Sequence, residues 1–195
     1  MTARALIFDL DGTLVDTMPI HYEAYRRTFA EAGVVLAPAE FYSHVGGVAR
    51  ETIPRFLAGR PCARSVAELH ARKQEIAMQL LAAAELPVLA AGTLLEAMAG
   101  QLPIALASSG SRSGIDVVLA RLGWTRHFDV VLAGTDVARG KPAPDLFLLA
   151  AARLEVTPAD CLVFEDTDDG AAAARAAGMA LFDVRRAAAP VRGLG

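Results

Sequence analysis

Asp9 and Asp11 are separated by a single residue and follow Ala5-Leu6-Ile7-Phe8, an apolar run that reads as a buried strand. Gly12 breaks the run, as expected where a strand ends in a tight turn. Side chains two apart on an extended backbone share a face, so both carboxylates are expected to converge at the strand end. In open α/β sheets, ligands bind at that edge. Two such groups suit oxygen ligation of Mg²⁺ or a division of acid and base roles. An isolated Asp-x-Asp-Gly is equally at home in a solvated turn. Its company decides: Ser108-Ser109-Gly110, the region before Lys141 and Glu165-Asp166 each follow another short apolar run.

The elements that must position these residues alternate. Pro103–Ala107, Phe128–Leu132, Cys161–Phe164 and Ala180–Val184 read as strands, and Thr93–Met98, Ser113–Leu122, Asp145–Leu154 and Gly170–Ala177 as helices. That alternation implies right-handed crossovers and a Rossmann-like parallel sheet with helices on both faces, an α/β fold. All strand ends bearing polar residues then lie on one edge and form one crevice. Residues 17–86 differ. Tyr22, Tyr25, Phe29 and Ala32 recur at helical spacing up to Gly33, and further helical patterns cover Ala39–Ser43, Arg50–Leu57 and Ala67–Ala84. The expected organisation is an α/β core of residues 1–16 and 87–195 with a small α-helical cap domain, 17–86, inserted. Residues 187–195 show no clear element.

The 195 residues are 54% apolar and 21% charged, the composition of a folded, helix-rich chain. A net charge of -3 without a basic run argues against nucleic acid as a partner. Cys62 and Cys161 have no metal-ligand spacing, and Cys161 reads as a core residue, so a reduced, cytoplasmic protein is expected. No signal peptide is expected before the first strand. No membrane span is expected, since Glu85, Pro87 and Glu96 interrupt the best apolar candidate. Trp124 and Phe128 read as core, and His44, His70 and His127 lack a metal spacing.

Four stretches together resemble the signature of the haloacid-dehalogenase-like phosphohydrolase superfamily. Asp9-x-Asp11-Gly12-Thr13 resembles its first motif and Ala107-Ser108-Ser109-Gly110 its second. Gly140-Lys141-Pro142-x-Pro144-Asp145 resembles the third, and Phe164-Glu165-Asp166 through Gly170 the fourth. The helical insertion resembles that of the subgroup with a helical cap. A phosphate monoester carries about two negative charges near neutral pH, and a crevice of carboxylates would repel it without a divalent cation. The resemblance implies a small phosphorylated metabolite as partner. It implies Asp9 as nucleophile and Asp11 as acid and base, with Mg²⁺ held by Asp9, the Asp11 carbonyl and Asp166. Glu165 would orient a metal-bound water. Lys141 and Ser108 are expected to offset and hydrogen-bond the phosphoryl group. Crowding among acids is expected to ease protonation of Asp11.

Within the superfamily the likeness is to β-phosphoglucomutase and to phosphatases of fructose 1-phosphate-like sugars. His21, Gly47, Arg50 and Ser109 are candidate substrate contacts. Lys73 either matches a second cationic cap residue or is a surface lysine on an amphipathic helix. Asp168 and Asp169 either assist the metal or complement a helix dipole. Ser111-Arg112 departs from the Ser-Lys-Asn that the mutase carries after its second motif, and favours a Mg²⁺-dependent sugar phosphatase over a phosphomutase. Asp11 argues against dehalogenation, because the dehalogenases lack that aspartate. A monomer or weak dimer is expected.

Overall fold

The computed structural model describes residues 3–44 and 49–187. Strands β1 (Ala5–Phe8), β2 (Ile104–Ala107), β3 (Val130–Leu132), β4 (Cys161–Glu165) and β5 (Ala180–Asp183) form a parallel sheet ordered β3-β2-β1-β4-β5. β1 is central, with Phe8 in register with Leu106 on one side and Phe164 on the other. The sheet is doubly covered, which explains why its inner strands are apolar at every position and do not alternate. Leu6, Phe8, Leu106 and Phe164 pack under α5 (Ala90–Met98) and α6 (Arg112–Leu122) with buried Trp124. Ile7, Ala105, Ala107 and Val163 face α7 (Asp145–Arg153) and α8 (Asp168–Ala176). Cys161 and Phe128 are buried, as expected of core residues.

Helices α1 (Met18–Ala30), α2 (Pro38–His44), α3 (Ala49–Leu57) and α4 (Val66–Ala83) share a separate aromatic core. Tyr25 meets Phe56 edge to face, with ring centroids 5.4 Å apart at 79°. Ser65 and Glu68 form a reciprocal capping box that starts α4. The chain leaves and re-enters the sheet layer through two paired segments. The Asp16 N–H donates to the Pro87 carbonyl and the Leu89 N–H to the Leu14 carbonyl, each at 2.9 Å.

Local boundaries differ from the sequence pattern for identifiable reasons. α6 begins before Ser113 because the Ser111 hydroxyl caps it by accepting from the Gly114 N–H at 3.2 Å. α8 begins before Gly170 because Thr167 caps it in the same way, at 3.0 Å. Phe128 falls outside β3, behind a single 3₁₀ turn at Thr125–His127. Val184 opens a short helix, α9 (Val184–Ala187), instead of ending β5, because Asp183 accepts from the Arg185 N–H at 3.1 Å and turns the chain. Among the described residues no helix is long and apolar enough to cross a membrane.

Candidate active site

β1 delivers Asp9 to the carboxyl edge of the sheet, where its N–H still pairs with the Phe164 carbonyl at 3.1 Å. The chain then tightens. Gly12 takes φ +86°, and a Cβ there would stand 2.3 Å from Oδ2 of Asp166. Only glycine allows the turn to pass so close to that carboxylate. Thr13 donates to Oδ1 of Asp166 at 2.8 Å. β4 delivers Glu165 and Asp166 alongside, and the carboxylates of Asp9, Glu165 and Asp166 offer oxygens within 4.8 Å of one another.

Lys141 crosses to this cluster from the loop before α7. Its ammonium donates to Asp9 Oδ1 at 2.6 Å and Glu165 Oε2 at 2.7 Å, and lies 4.9 Å from the centre of the Phe147 ring. It is 2% exposed, so it is held in place by charge and packing together. Glu165 is fixed from its other oxygen. Oε1 accepts from the N–H groups of Asp166 and Thr167 and from the Thr167 hydroxyl, at 3.1, 3.0 and 2.9 Å. Gly170 leaves the space that Glu165 fills, since a Cβ there would lie 2.1 Å from its carboxyl carbon. In this geometry Glu165 is the fixed counter-ion of Lys141.

One ammonium does not balance two buried acids and a half-buried third. Burial first, and then the charge of Glu165, push the Asp9 carboxyl well above the usual aspartate range despite Lys141. The same two causes raise Asp166 to about 7. Burial acts against the Lys141 ammonium, but the charges of Asp9 and Glu165 outweigh it and raise its pKa. The unbalanced negative charge and the all-oxygen donor set fit a hard divalent cation such as Mg²⁺.

Asp11 points elsewhere. Its Oδ1 accepts from the Thr17 hydroxyl at 2.5 Å and lies 3.0 Å from His21 Nε2. Ser108, fixed by the Gly110 N–H at 2.9 Å, donates to its Oδ2 at 3.4 Å. Burial pushes the Asp11 carboxyl up, but the His21 charge, hydrogen bonds from His21 and Thr17, and Lys73 outweigh it and hold it at about 2. The expected easing of Asp11 protonation by neighbouring acids is therefore not met. Its nearest partners are cationic or donors, whereas the acids cluster on the Asp9 side.

Lys73 is not a surface lysine. It is 8% exposed, lies 3.3 Å from His21 Nδ1 and 4.9 Å from the centre of the Tyr25 ring, and burial lowers its pKa to about 8. Ser109 is half-buried beside Ser108. Gly47 lies outside the described residues, as does the side chain of Arg50. Arg112 turns from the crevice to the Val131 carbonyl and Asp136, at 3.0 and 2.6 Å. Asp168 sits in the first turn of α8 and pairs with Arg185 at 2.9 Å, apart from the acidic cluster. The threonines at 13, 17 and 167 carry no role in the sequence reading, yet each holds a site carboxylate. Their signal is proximity: each stands within a few residues of one of the motif acids.

The sheet, its edge and this cluster of acids around a lysine define a hydrolase class. Residues 3–178 match the family of haloacid dehalogenase-like hydrolases, and the chain belongs to it. It is 36% identical over 190 residues to the fructose-1-phosphate phosphatase YqaB of Escherichia coli, covering 92% of this chain and 95% of the relative. A phosphorylated carbohydrates phosphatase of Thermotoga maritima is 33% identical over 180 residues, covering 90% and 82%. The crystal structure of CbbY from Rhodobacter sphaeroides in complex with phosphate superposes with a TM-score of 0.84 at 31% identity. The match covers 92% of this chain and 85% of that one.

Proposed function

We propose that this phosphatase hydrolyses the monoester of a small phosphorylated sugar, with Mg²⁺ and through an aspartyl-phosphate on Asp9. One observation carries the reading: Asp9, Glu165 and Asp166 cluster, with buried Lys141 bonded to the first two, while Asp11 stands apart, ringed by Thr17, His21 and Ser108. The two aspartates of one motif thus occupy environments of opposite charge, the arrangement expected when one acts as nucleophile and the other moves protons. The sugar-phosphate class is supported by the likeness to YqaB and the Thermotoga phosphatase.

In this reading a carboxylate oxygen of Asp9 forms a bond to phosphorus as the ester P–O bond breaks. Asp11 gives a proton to the leaving alkoxide. Water then attacks phosphorus, Asp11 recovers a proton, and Asp9 and inorganic phosphate are released. Because Asp11 is ionised in the geometry described here, it must gain its proton when substrate binds, and His21 Nε2 is the ring nitrogen already at hydrogen-bond distance. Asp9, the Asp11 carbonyl and Asp166 would hold Mg²⁺, which when bound neutralises phosphoryl charge. Lys141 keeps Asp9 oriented, and Ser108 donates toward the phosphoryl group. Residues 17–86 act as the cap, presenting His21 and Lys73 to the leaving group.

The test is phosphate release with Mg²⁺ across fructose 1-phosphate, other sugar phosphates, phosphoglycolate and nucleotides. β-Glucose 1-phosphate is assayed alongside for glucose 6-phosphate. Release preferring sugar phosphates supports the reading. Conversion to glucose 6-phosphate without free phosphate replaces it with a phosphomutase.

A further inference from the structure

The seam between α4 and α6 is apolar in its middle and closed by polar contacts at both ends, one of them beside Asp11. Gln74, Ala77 and Leu81 stand three and four residues apart on α4, so they share one face. With Ser111, Gly114, Ile115 and Val118 of α6, they line a cleft that also contains Asp11, His21 and Lys73. Gly114 faces the seam, where a Cβ would make ordinary contact with Cδ1 of Leu81 at 3.6 Å. Arg121 seals the far end by donating to the Leu81 and Ala84 carbonyls, both at 2.6 Å. At the near end, Nε2 of Gln74 donates to Ser111 Oγ and lies 3.3 Å from Ser113 Oγ.

Two facts make this pair unlike ordinary packing. Gln74 places a half-buried amide beside a stretch otherwise lined by Ala77, Leu81, Ile115 and Val118. Lys73 and Gln74 are also consecutive on a rigid helix yet reach different partners, Lys73 toward His21 on α1 and Gln74 toward Ser111 on α6. The cleft they border holds about 30 Å³, room for roughly two waters at the ~10–15 Å³ that each needs. A sugar leaving group is larger than that, so its entry would part Gln74 from Ser111 and free an amide and a hydroxyl in the cleft that Asp11 also lines. The half-buried amide freed in this way is open to a new partner. The hydroxyls of a polyol supply one.

We propose that Gln74 is a specificity-determining residue whose amide exchanges Ser111 for a hydroxyl of the sugar leaving group. This rests on the sugar-phosphate reading above. The test compares wild type with Gln74→Leu, which keeps the size and removes the polar group. Each is assayed on the best sugar phosphate of the panel and on p-nitrophenyl phosphate, whose leaving group carries no other hydroxyl.

The ratio of the two kcat/KM values, sugar phosphate over p-nitrophenyl phosphate, is expected to fall about 10-fold, the fall carried by KM for the sugar. Gln74→Asn, which retains the amide on a shorter arm, should restore part of the ratio. A ratio unchanged in Gln74→Leu, whether both activities fall together or neither does, overturns the proposal. A merely structural role lowers both substrates alike along with the melting temperature. If wild type hydrolyses phosphate esters but no sugar phosphate, the functional reading itself fails, and this inference with it. That outcome is visible before any variant is made.

Discussion

Nε2 of His21 lies 3.0 Å from Oδ1 of Asp11, so a residue of the first inserted helix touches an acid of the first motif directly. Lys73 stands behind it, 3.3 Å from Nδ1 of the same ring. Contacts from α1 and α4 thus help to hold the Asp11 carboxyl low.

Asp11→Asn should stop turnover while leaving Mg²⁺ binding in place. The Asp11 carboxylate is engaged by Thr17, His21 and Ser108 and lies outside the group formed by Asp9, Glu165 and Asp166. Its carboxyl is held at about 2 against an ordinary 3.8. It therefore contributes stability above pH ~4 that is lost as pH falls through the folded value. Losing that contribution should cost about 2 kcal/mol near pH 7. Calorimetric Mg²⁺ titration and urea unfolding check the two halves. Loss of Mg²⁺ binding would place the Asp11 side chain in the metal site.

Asp9→Asn should lower turnover by at least about 10³-fold. Its stability should move the other way. Burial and Glu165 make the ionised Asp9 unfavourable, so the neutral amide is expected to melt at or above the wild-type temperature in EDTA at pH 8. Retained activity would remove Asp9 as nucleophile.

Metal and pH should act together on stability. Asp166 is raised from 3.8 to about 7, and Asp9 is raised as well. Groups shifted upward contribute stability below their unfolded values and lose it as pH rises through the folded ones. Metal-free protein should therefore lose stability from these groups between pH 4 and 7. Mg²⁺, which needs the deprotonated acids, should raise the melting temperature more at pH 8 than at pH 5. Thermal scans with EDTA and with Mg²⁺ at both pH values read this. An equal Mg²⁺ effect at pH 5 and 8 would contradict the proposed site.

Gly170→Ala should damage the site from a helix that bears none of its acids. The new Cβ would fall 2.1 Å from the Glu165 carboxyl carbon, which α8 and the buried Lys141 leave no room to move. Overpacking of this kind costs about 1–3 kcal/mol. Turnover should fall with it, because Glu165 shares Lys141 with Asp9. Urea unfolding and phosphate release measure both effects. Wild-type values in each would show that Glu165 can relocate freely.

Much of this site is legible in the chain because its parts are local. Asp9, Asp11 and Gly12 form one turn, and Glu165-Asp166-Thr167 another, so residue spacing alone places each set at a strand end. The order of apolar runs and helices likewise implies a parallel sheet covered on both faces, since only that arrangement buries strands that are apolar at every position. What is not legible depends on residues distant in sequence. A lysine on an amphipathic helix looks solvated until α1 brings His21 and Tyr25 against it. Gln74 has no signal at all, because its partner is 37 residues away on α6.

The charge states separate the two levels most clearly. The sequence by itself determined which acids reach the crevice, through strand ends and glycine turns that short-range sterics dictate. Only the tertiary structure decided how they divide. Lys141 pairs with Asp9 and Glu165 from the loop before α7, and His21 and Lys73 approach Asp11 from the inserted helices. Electrostatic energy depends on distance and burial, and neither is a property of residue spacing along the chain.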